Sequence, residues 1–337
     1  MLNNLGLATT RFLTAHQAAN YFRREFTRAG RPSPNLRLRY ANEGLPANDL
    51  RIERQGNQYT LVVQNVGKRR LTRGVGRSAC AYAYWLHQCA PHVTHITVNT
   101  SDGEAVSRAR FAASVRFPHH AAIPDPHFFQ SHGFVIQRAE GDAAPPWSDR
   151  SNDIVWRGGM NGNGWLSFST QDKYNETVVQ RLRMVMLLRD VPKVDARCVD
   201  VGRAEPALEP FARREGLVGD PLPGHIWLSK KFAIDIDGYS NTWSNLLVRM
   251  LYGCCVLKVE SQFGFRQWYY DDLRPYEHYV PVAANMSDMA EKIEWVRAHD
   301  TEAKAIAARG QAFARTLTFE SQTRRAAEII EANWDRT

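Results

Sequence analysis

Residues 230–261, KKFAIDIDGYSNTWSNLLVRMLYGCCVLKVES, leave this chain little choice of fold. Residues 231–237 alternate and are β-branched enough to predict a strand, and Gly238 breaks it. Ser240, Asn241, Thr242 and Ser244 are N-cap residue types standing before a helix whose apolar positions are Leu246, Leu247, Met250 and Leu251. Residues 255–259 read as the next buried strand. Strand, glycine, polar cap, helix and strand make a βαβ unit, which places the chain in the α/β class. The start of such a helix offers unpaired N–H groups and partial positive charge to an anion, so a phosphate fits there, although most helix starts of this kind bind only water.

The same alternation continues on both sides. Thr14 with Gln17 makes a capping box ahead of Ala18, Tyr21, Phe22 and Phe26, and Gly30 closes that helix. Residues 50–54 and 59–64 flank Gly56-Asn57 as a hairpin, Ser78 starts a helix through Cys89, and residues 95–99 form a strand ending at TSDGE. A helix is expected from Thr170 through Arg189, a strand over 196–201, and closing helices over 287–299, 301–317 and 319–334. A chain of 337 residues exceeds what one typical core supports, so two domains are expected, joined by the Pro-, Gly- and Asp-rich residues 140–153.

Charge and cysteine usage narrow the setting. A net charge of +8 favours anionic partners, and residues 68–77 hold five basic residues in ten, as a solvated loop or as a contact with an anionic acceptor or membrane face. Basic residues are not interleaved with aromatics on one face, so nucleic acid is not expected. No basic n-region with an apolar h-region opens the chain and no run of eighteen apolar residues occurs, so neither secretion nor membrane spanning is expected. Five cysteines, odd in number and sparse, read as reduced thiols in a cytoplasm.

Several residues carry candidate chemistry. Asp102 follows the strand of residues 95–99, where α/β folds place ligand sites, with a plain Asp-Gly turn as the alternative and Glu104 as the second choice. His119, His120, Asp125 and His127 have a metal cluster's composition but no metal-site spacing, so no metal is expected and an acceptor-contacting loop, through Asp125 and His127, is favoured. In WRGGMNGNGW the glycines, Gly158 among them, let backbone approach a ligand and Arg157 neutralises a diphosphate, unless the stretch is a flexible turn. There is no Walker lysine and no G-x-G-x-x-G, which speaks against an ATPase or a dinucleotide dehydrogenase.

WRGG from Trp156, then KFAIDIDG, the N-T-W-S helix start, CCVLKVES and QWYYDDLRPYEHYVPV over residues 267–282, in that order, resemble glycosyltransferase family 90 over residues 154–313. The resemblance implies a GT-B enzyme: two Rossmann-like domains facing a cleft, residues 1–148 on the acceptor side and 149–312 binding the nucleotide sugar, with residues 313–337 as a helix crossing back. It implies an inverting transfer from a UDP-sugar, with no cofactor and no metal despite the D-x-D of Asp235 and Asp237, whose first carboxylate is read as pointing into the domain. Asp102 is then the base. Arg157, Gly158, Lys231, Asp237, Gly238, Ser240, Asn241, Thr242, Trp243, Ser244 and Arg266 hold the donor, and two of Trp268, Tyr269, Tyr270, Tyr276 and Tyr279 stack on uracil or sugar. Other family members place an arginine early in the helix after the glycine, which is absent here, since Arg249 lies nearly two turns in. The N-T-W-S form and the start without a signal peptide resemble the bacterial branch, hence a lipopolysaccharide-core oligosaccharide or glycolipid acceptor and a cytoplasmic enzyme peripheral to an anionic membrane. An inactive nucleotide-sugar-binding scaffold and a protein O-glycosyltransferase stand as the alternatives.

Overall fold

The computed structural model describes residues 14–41, 44–64, 72–202 and 205–334. Residues 1–13 of the N-terminal segment read for a signal peptide, and residues 68–71 of the basic run with Lys68, Arg69 and Arg70, lie outside the described residues. The chain divides into two compact units, residues 1–132 with 319–337, and residues 133–318. This differs from an expected boundary near 148. The proline-rich stretch is not a free linker, because Arg150 Nη1 donates to the carbonyls of Tyr252 (2.8 Å) and Gly253 (3.0 Å), tying it into the second unit.

In the first unit, α1 (Ala15–Arg28) opens on the expected capping box, Gln17 N donating to Thr14 Oγ1 and Thr14 N to Gln17 Oε1. Strands β1 (Asn35–Ala41), β2 (Asp49–Gln55) and β3 (Gln58–Gln64) follow, with Gly56 at φ +57° turning the β2–β3 hairpin. Helix α2 (Arg73–Gln88) begins six residues earlier than expected, because Thr72, not Ser78, supplies the capping hydroxyl to Val75 N. The strands β4 (His95–Asn99), β5 (Phe111–Ala112) and β6 (Ala121–Ala122) and the short helix α3 (Pro126–Gln130) complete the run. The sheet order is β1-β3-β2-β4-β5-β6, and β2 runs antiparallel to both neighbours, so this sheet is mixed where a Rossmann-like one was expected. Phe22, Phe26, Ile52, Tyr59, Trp85 and Val98 are buried in its core, and the chain's last helix, Phe319–Ala332, packs against α2 within the same unit.

The second unit starts with α4 (Val135–Asp142) and continues through β7 (Ile154–Gly158), α5 (Gln180–Leu188), β8 (Val194–Cys198), α6 (Glu209–Arg214), β9 (Phe232–Asp235), α7 (Asn245–Leu251), β10 (Cys255–Val259), β11 (Val280–Val282), α8 (Met289–Ala298) and α9 (Asp300–Thr316). The helix expected from Thr170 is broken into a 3₁₀ turn, Thr170–Tyr174, and α5. Asn175 leaves helical geometry there and its side chain accepts from Thr177 N (3.1 Å), an alternative that asparagine offers its own backbone. Every strand pairing is parallel: β8 with β7, and β11 with β10 with β9. A parallel bridge just ahead of both strands, Ser151 with Lys230, and the contact of β7 with β9 set the two-stranded sheet beside the three-stranded one. The order is therefore β8-β7-β9-β10-β11, a doubly wound sheet whose strand order reverses between β7 and β9. Strands β7, β9, β10 and β11 are apolar with few interruptions, as strands covered on both faces require.

Candidate functional site

In open parallel sheets, ligands settle beyond the carboxyl ends of the strands at the point where strand order reverses, because the loops there part to opposite faces. In this chain that point is flanked by residues 159–164 after β7 and residues 236–244 after β9. Glycine brings the two loops into contact. A Cβ on Gly238 would stand 2.7 Å from Asn161 Oδ1, and one on Gly162, at φ +147°, 3.3 Å from the Gly238 carbonyl oxygen. Asn163 Nδ2 donates across to the Tyr239 carbonyl at 3.3 Å.

The junction is held by a residue the sequence reading passed over. Arg181, in the first turn of α5, donates through Nε to the Asp237 carbonyl (2.9 Å) and through Nη2 to that of Ile236 (3.3 Å). Its Nη1 donates to the Gly159 carbonyl (3.2 Å) and Asn161 Oδ1 (2.5 Å). One guanidinium thus ties both loops. Burial lowers its pKa, and the nearby Asp237, Asp235 and Asp200 act against that.

Beneath the loops lies a second charge pair. Asp235 on β9 is fully buried and registers directly against Lys258 on β10, with Oδ2 4.0 Å from Nζ. Its Oδ1 accepts from the Thr242 hydroxyl and from Asn245 Nδ2 (2.9 Å). Lys258 Nζ also sits 4.5 Å from the centre of the Tyr270 ring. Asp237, one face further along, is buried; Oδ1 accepts from Asn241 Nδ2 (3.2 Å), and burial raises its pKa against the pull of Lys258 and Ser261. One oxygen of each D-x-D carboxylate, Oδ1, is therefore taken by protein donors, whereas Oδ2 of both is buried with no hydrogen-bond partner among the described residues. Among the described residues no group of three or more His, Cys, Asp or Glu side chains is arranged to hold a metal.

The expected cap residues behave differently from the reading. Thr242 turns its hydroxyl back to Asp235, Ser240 Oγ is buried with no partner among the described residues, and Ser244 holds the N-cap position without a side-chain bond. With seven residues, α7 is also short. Gly158, Asp237, Gly238, Ser240, Asn241, Thr242, Trp243 and Ser244 all lie at the junction or on the loops and strand ends that make it.

Three other expected donor residues do not gather there. Arg157 is spent on the neighbouring strand, pairing with Asp195 Oδ2 (2.7 Å) and donating to the carbonyls of Asp195 and Asp220. Lys231 stands at the amino end of β9, the opposite end from Gly238, and pairs with Asp300 Oδ1 at 2.8 Å. Arg266 is half-exposed and paired with Asp271. Arg249, already doubtful as an early-helix arginine, lies 3.5 Å over the Trp227 ring. Of the five aromatics, Trp268 and Tyr269 are buried in the core and so are not free to stack on a ligand, whereas Tyr276 is exposed.

In the first unit, Asp102 is exposed at the turn after β4. That turn is braced: Ser101 Oγ donates to Asn99 Oδ1 (2.6 Å), Gly103 N donates to Ser101 Oγ (3.0 Å), and a Cβ on Gly103 would meet the Ser114 carbonyl oxygen at 2.7 Å. Glu104 is exposed beside it. Asp125 has another role than acceptor contact. It is fully buried as the N-cap of α3, accepting from His127 N (2.6 Å) and Phe128 N (2.9 Å) through Oδ1, and burial pushes its pKa up to about 7. His127 itself is exposed. All five cysteines are free and buried, and no helix of the described residues is long and apolar enough to cross a membrane.

Lys258 had a signal in the sequence: a lysine inside CCVLKV needs a buried counter-charge, and FAID supplies Asp235. Arg181 had a weaker one, as one of two arginines, with Arg183, among the apolar residues of QRLRMVMLL.

Comparison with known proteins bears on the same part of the chain. Protein O-glucosyltransferase 2 of Danio rerio is 30% identical over 186 residues, 54% of this chain and 32% of that protein. The uncharacterized protein 179R of Invertebrate iridescent virus 6 is 29% identical over 192 residues, 52% of this chain and 16% of the viral protein. The chain thus spans a third or less of the length of these relatives. Among solved structures, Anabaena Alr3699/HepE in complex with UDP and glucose aligns at 14% identity and a TM-score of 0.37 over 59% of this chain and 52% of that one. The sucrose-phosphate synthase of Thermosynechococcus elongatus aligns at 11% and 0.42 over 93% and 91%. The family model for glycosyl transferase family 90 matches residues 134–322, which run through the whole second unit from α4 to α9, both junction loops included, and cover more than half the chain; the chain belongs to glycosyl transferase family 90.

Proposed function

We propose that the protein transfers a sugar from a UDP-sugar to an acceptor hydroxyl, with the donor's diphosphate seated at the junction of residues 159–164 and 236–244. The observation that carries this is the pair of glycine-mediated loops meeting at the switch point of a doubly wound sheet, tied by Arg181, in a chain of this family. Side chains are kept small there so that a phosphate can approach backbone. Arg181 supplies positive charge beside the departing diphosphate, part of what such a reaction needs.

The chemistry is a single displacement with inversion. The acceptor oxygen attacks the anomeric carbon, the bond from that carbon to the β-phosphate oxygen breaks, UDP leaves with the electron pair, and the acceptor's proton passes to a carboxylate. Asp102, held on a braced turn, is the base in this reading, with Glu104 as its alternative. In this reading the transfer is metal-independent, with Asp235 facing Lys258 and Asp237 Oδ1 held by Asn241.

The acceptor in this reading is a lipopolysaccharide-core oligosaccharide or related glycolipid, met by a cytoplasmic enzyme at an anionic membrane face; the +8 charge supports it. A protein hydroxyl is the second reading, and the protein O-glucosyltransferase names of relatives at about 30% identity favour it. A screen of common UDP-sugars read as UDP release tests the activity. Wild type releases UDP with one or more donors and Asp102→Asn loses at least a hundredfold in turnover. Donor binding without turnover would leave an inactive scaffold, and near-normal turnover by Asp102→Asn would remove the base. Transfer to a folded protein domain and none to a lipid-linked oligosaccharide would decide for the second acceptor.

A further inference from the structure

The first unit carries a cavity that the transfer reaction does not use. About 330 Å³ in volume, it lies where β2, β4 and β5 meet residues 333–334, and it is lined by Arg51, His95, Arg108, Arg110, His119 and Trp334 among others. None of the described residues lining it is acidic. Arg110 is fixed but not neutralised: Nε donates to the Asn333 carbonyl (3.1 Å), Nη2 to Asn333 Oδ1 (2.9 Å) and Nη1 to the His119 carbonyl (2.9 Å). Arg108 is exposed and makes no ion pair with any described residue. Arg51 alone is offset, its Nε 3.2 Å from Glu53 Oε1, a carboxylate it shares with Arg39. The Trp334 indole leans on His92 and His95, and its Nε1 is buried with no acceptor among the described residues.

A cavity walled by donors, with two guanidiniums that have no counter-charge and a buried N–H that has no acceptor among the described residues, suits an oxyanion. We infer that this cavity binds a phosphate monoester group. Three guanidiniums, only one of them offset by a described carboxylate, and an indole N–H are better matched by a phosphate monoester, with three terminal oxygens and up to two negative charges, than by a carboxylate with two oxygens and one charge. The volume admits a phosphate together with part of the molecule that bears it. The inference stands on the first unit alone and does not depend on the donor site.

The test is a titration of the full chain with inorganic phosphate and with glucose 6-phosphate at constant ionic strength in chloride, read by calorimetry and by thermal shift. Wild type should bind saturably. Arg108→Gln should weaken binding about tenfold, and Trp334→Phe, which keeps the ring over the histidines, severalfold. Arg108 holds no described side chain in place, so its variant keeps the fold. Equal affinity in wild type and both variants, or an effect no larger than that of added chloride, would overturn the pocket. A second arm sediments the protein with vesicles of phosphatidylcholine alone or with phosphatidic acid. Sedimentation that free phosphate competes away assigns the group to a lipid headgroup, and phosphate binding without sedimentation assigns it to a soluble ligand. Sedimentation that phosphate does not displace, with no phosphate binding in solution, would again overturn the pocket.

Discussion

Replacing Asp125 with Asn should remove a pH dependence built into the first unit. The carboxyl is fully buried and caps α3 through Oδ1, while Oδ2 is buried with no partner among the described residues. Burial is the larger influence and raises its pKa from 3.8 to about 7, and the two backbone N–H groups pull it partway back. Below pH ~4 the group is protonated in both folded and unfolded chains and has no differential effect. Between pH ~4 and ~7 the folded protein keeps a proton that the unfolded chain has released, so stability falls as pH rises; above pH ~7 the full cost is present. Three pKa units at ~1.4 kcal/mol each set an upper limit of ~4 kcal/mol. Asn keeps the cap acceptor and carries no charge, so the variant should melt with wild type near pH 4 and several degrees above it at pH 7.5. Thermal unfolding of both proteins from pH 4 to 8 measures this as a difference, in which the other titrating groups cancel. A gap between the two that does not change with pH would refute the reasoning.

Gly238→Ala would set a methyl 2.7 Å from Asn161 Oδ1 and 3.0 Å from the Arg181 guanidinium; a UDP titration should show affinity reduced about tenfold, at unchanged helix content by circular dichroism. Lys258→Met leaves Asp235 buried without its counter-charge and should cost about 3 kcal/mol in denaturant unfolding. The double variant Asp235→Asn, Lys258→Met should recover most of that loss. EDTA should leave UDP release unchanged, since Oδ1 of both D-x-D carboxylates is held by protein donors and Asp235 faces Lys258.

What the sequence made legible was set by neighbours in sequence. The capping box of Thr14 and Gln17, the hairpin at Gly56-Asn57 and the strand His95–Asn99 each depend on a few adjacent residues, and each forms as read. Readings failed where a distant partner outbid the local one. Thr242 was a plausible helix cap, but Asp235, seven residues back, takes its hydroxyl. Residues 140–153 have a linker's composition, yet Arg150 spends its donors on carbonyls a hundred residues away. Lys231 lies in the most informative stretch, and only the strand direction reveals that it stands at the wrong end of β9 for the junction. Arg181 left only a weak signal as a site residue because its partners are almost all backbone carbonyls, which no side-chain motif records.

The donor site is the central claim, and hydrogen–deuterium exchange of the wild-type chain with and without saturating UDP tests it without altering any residue. Slowed exchange in peptides spanning residues 159–164 and 236–244, and little change at the amino end of β9 around Lys231, is the predicted result. Protection confined to other segments, or none at a UDP concentration that saturates binding, would contradict it.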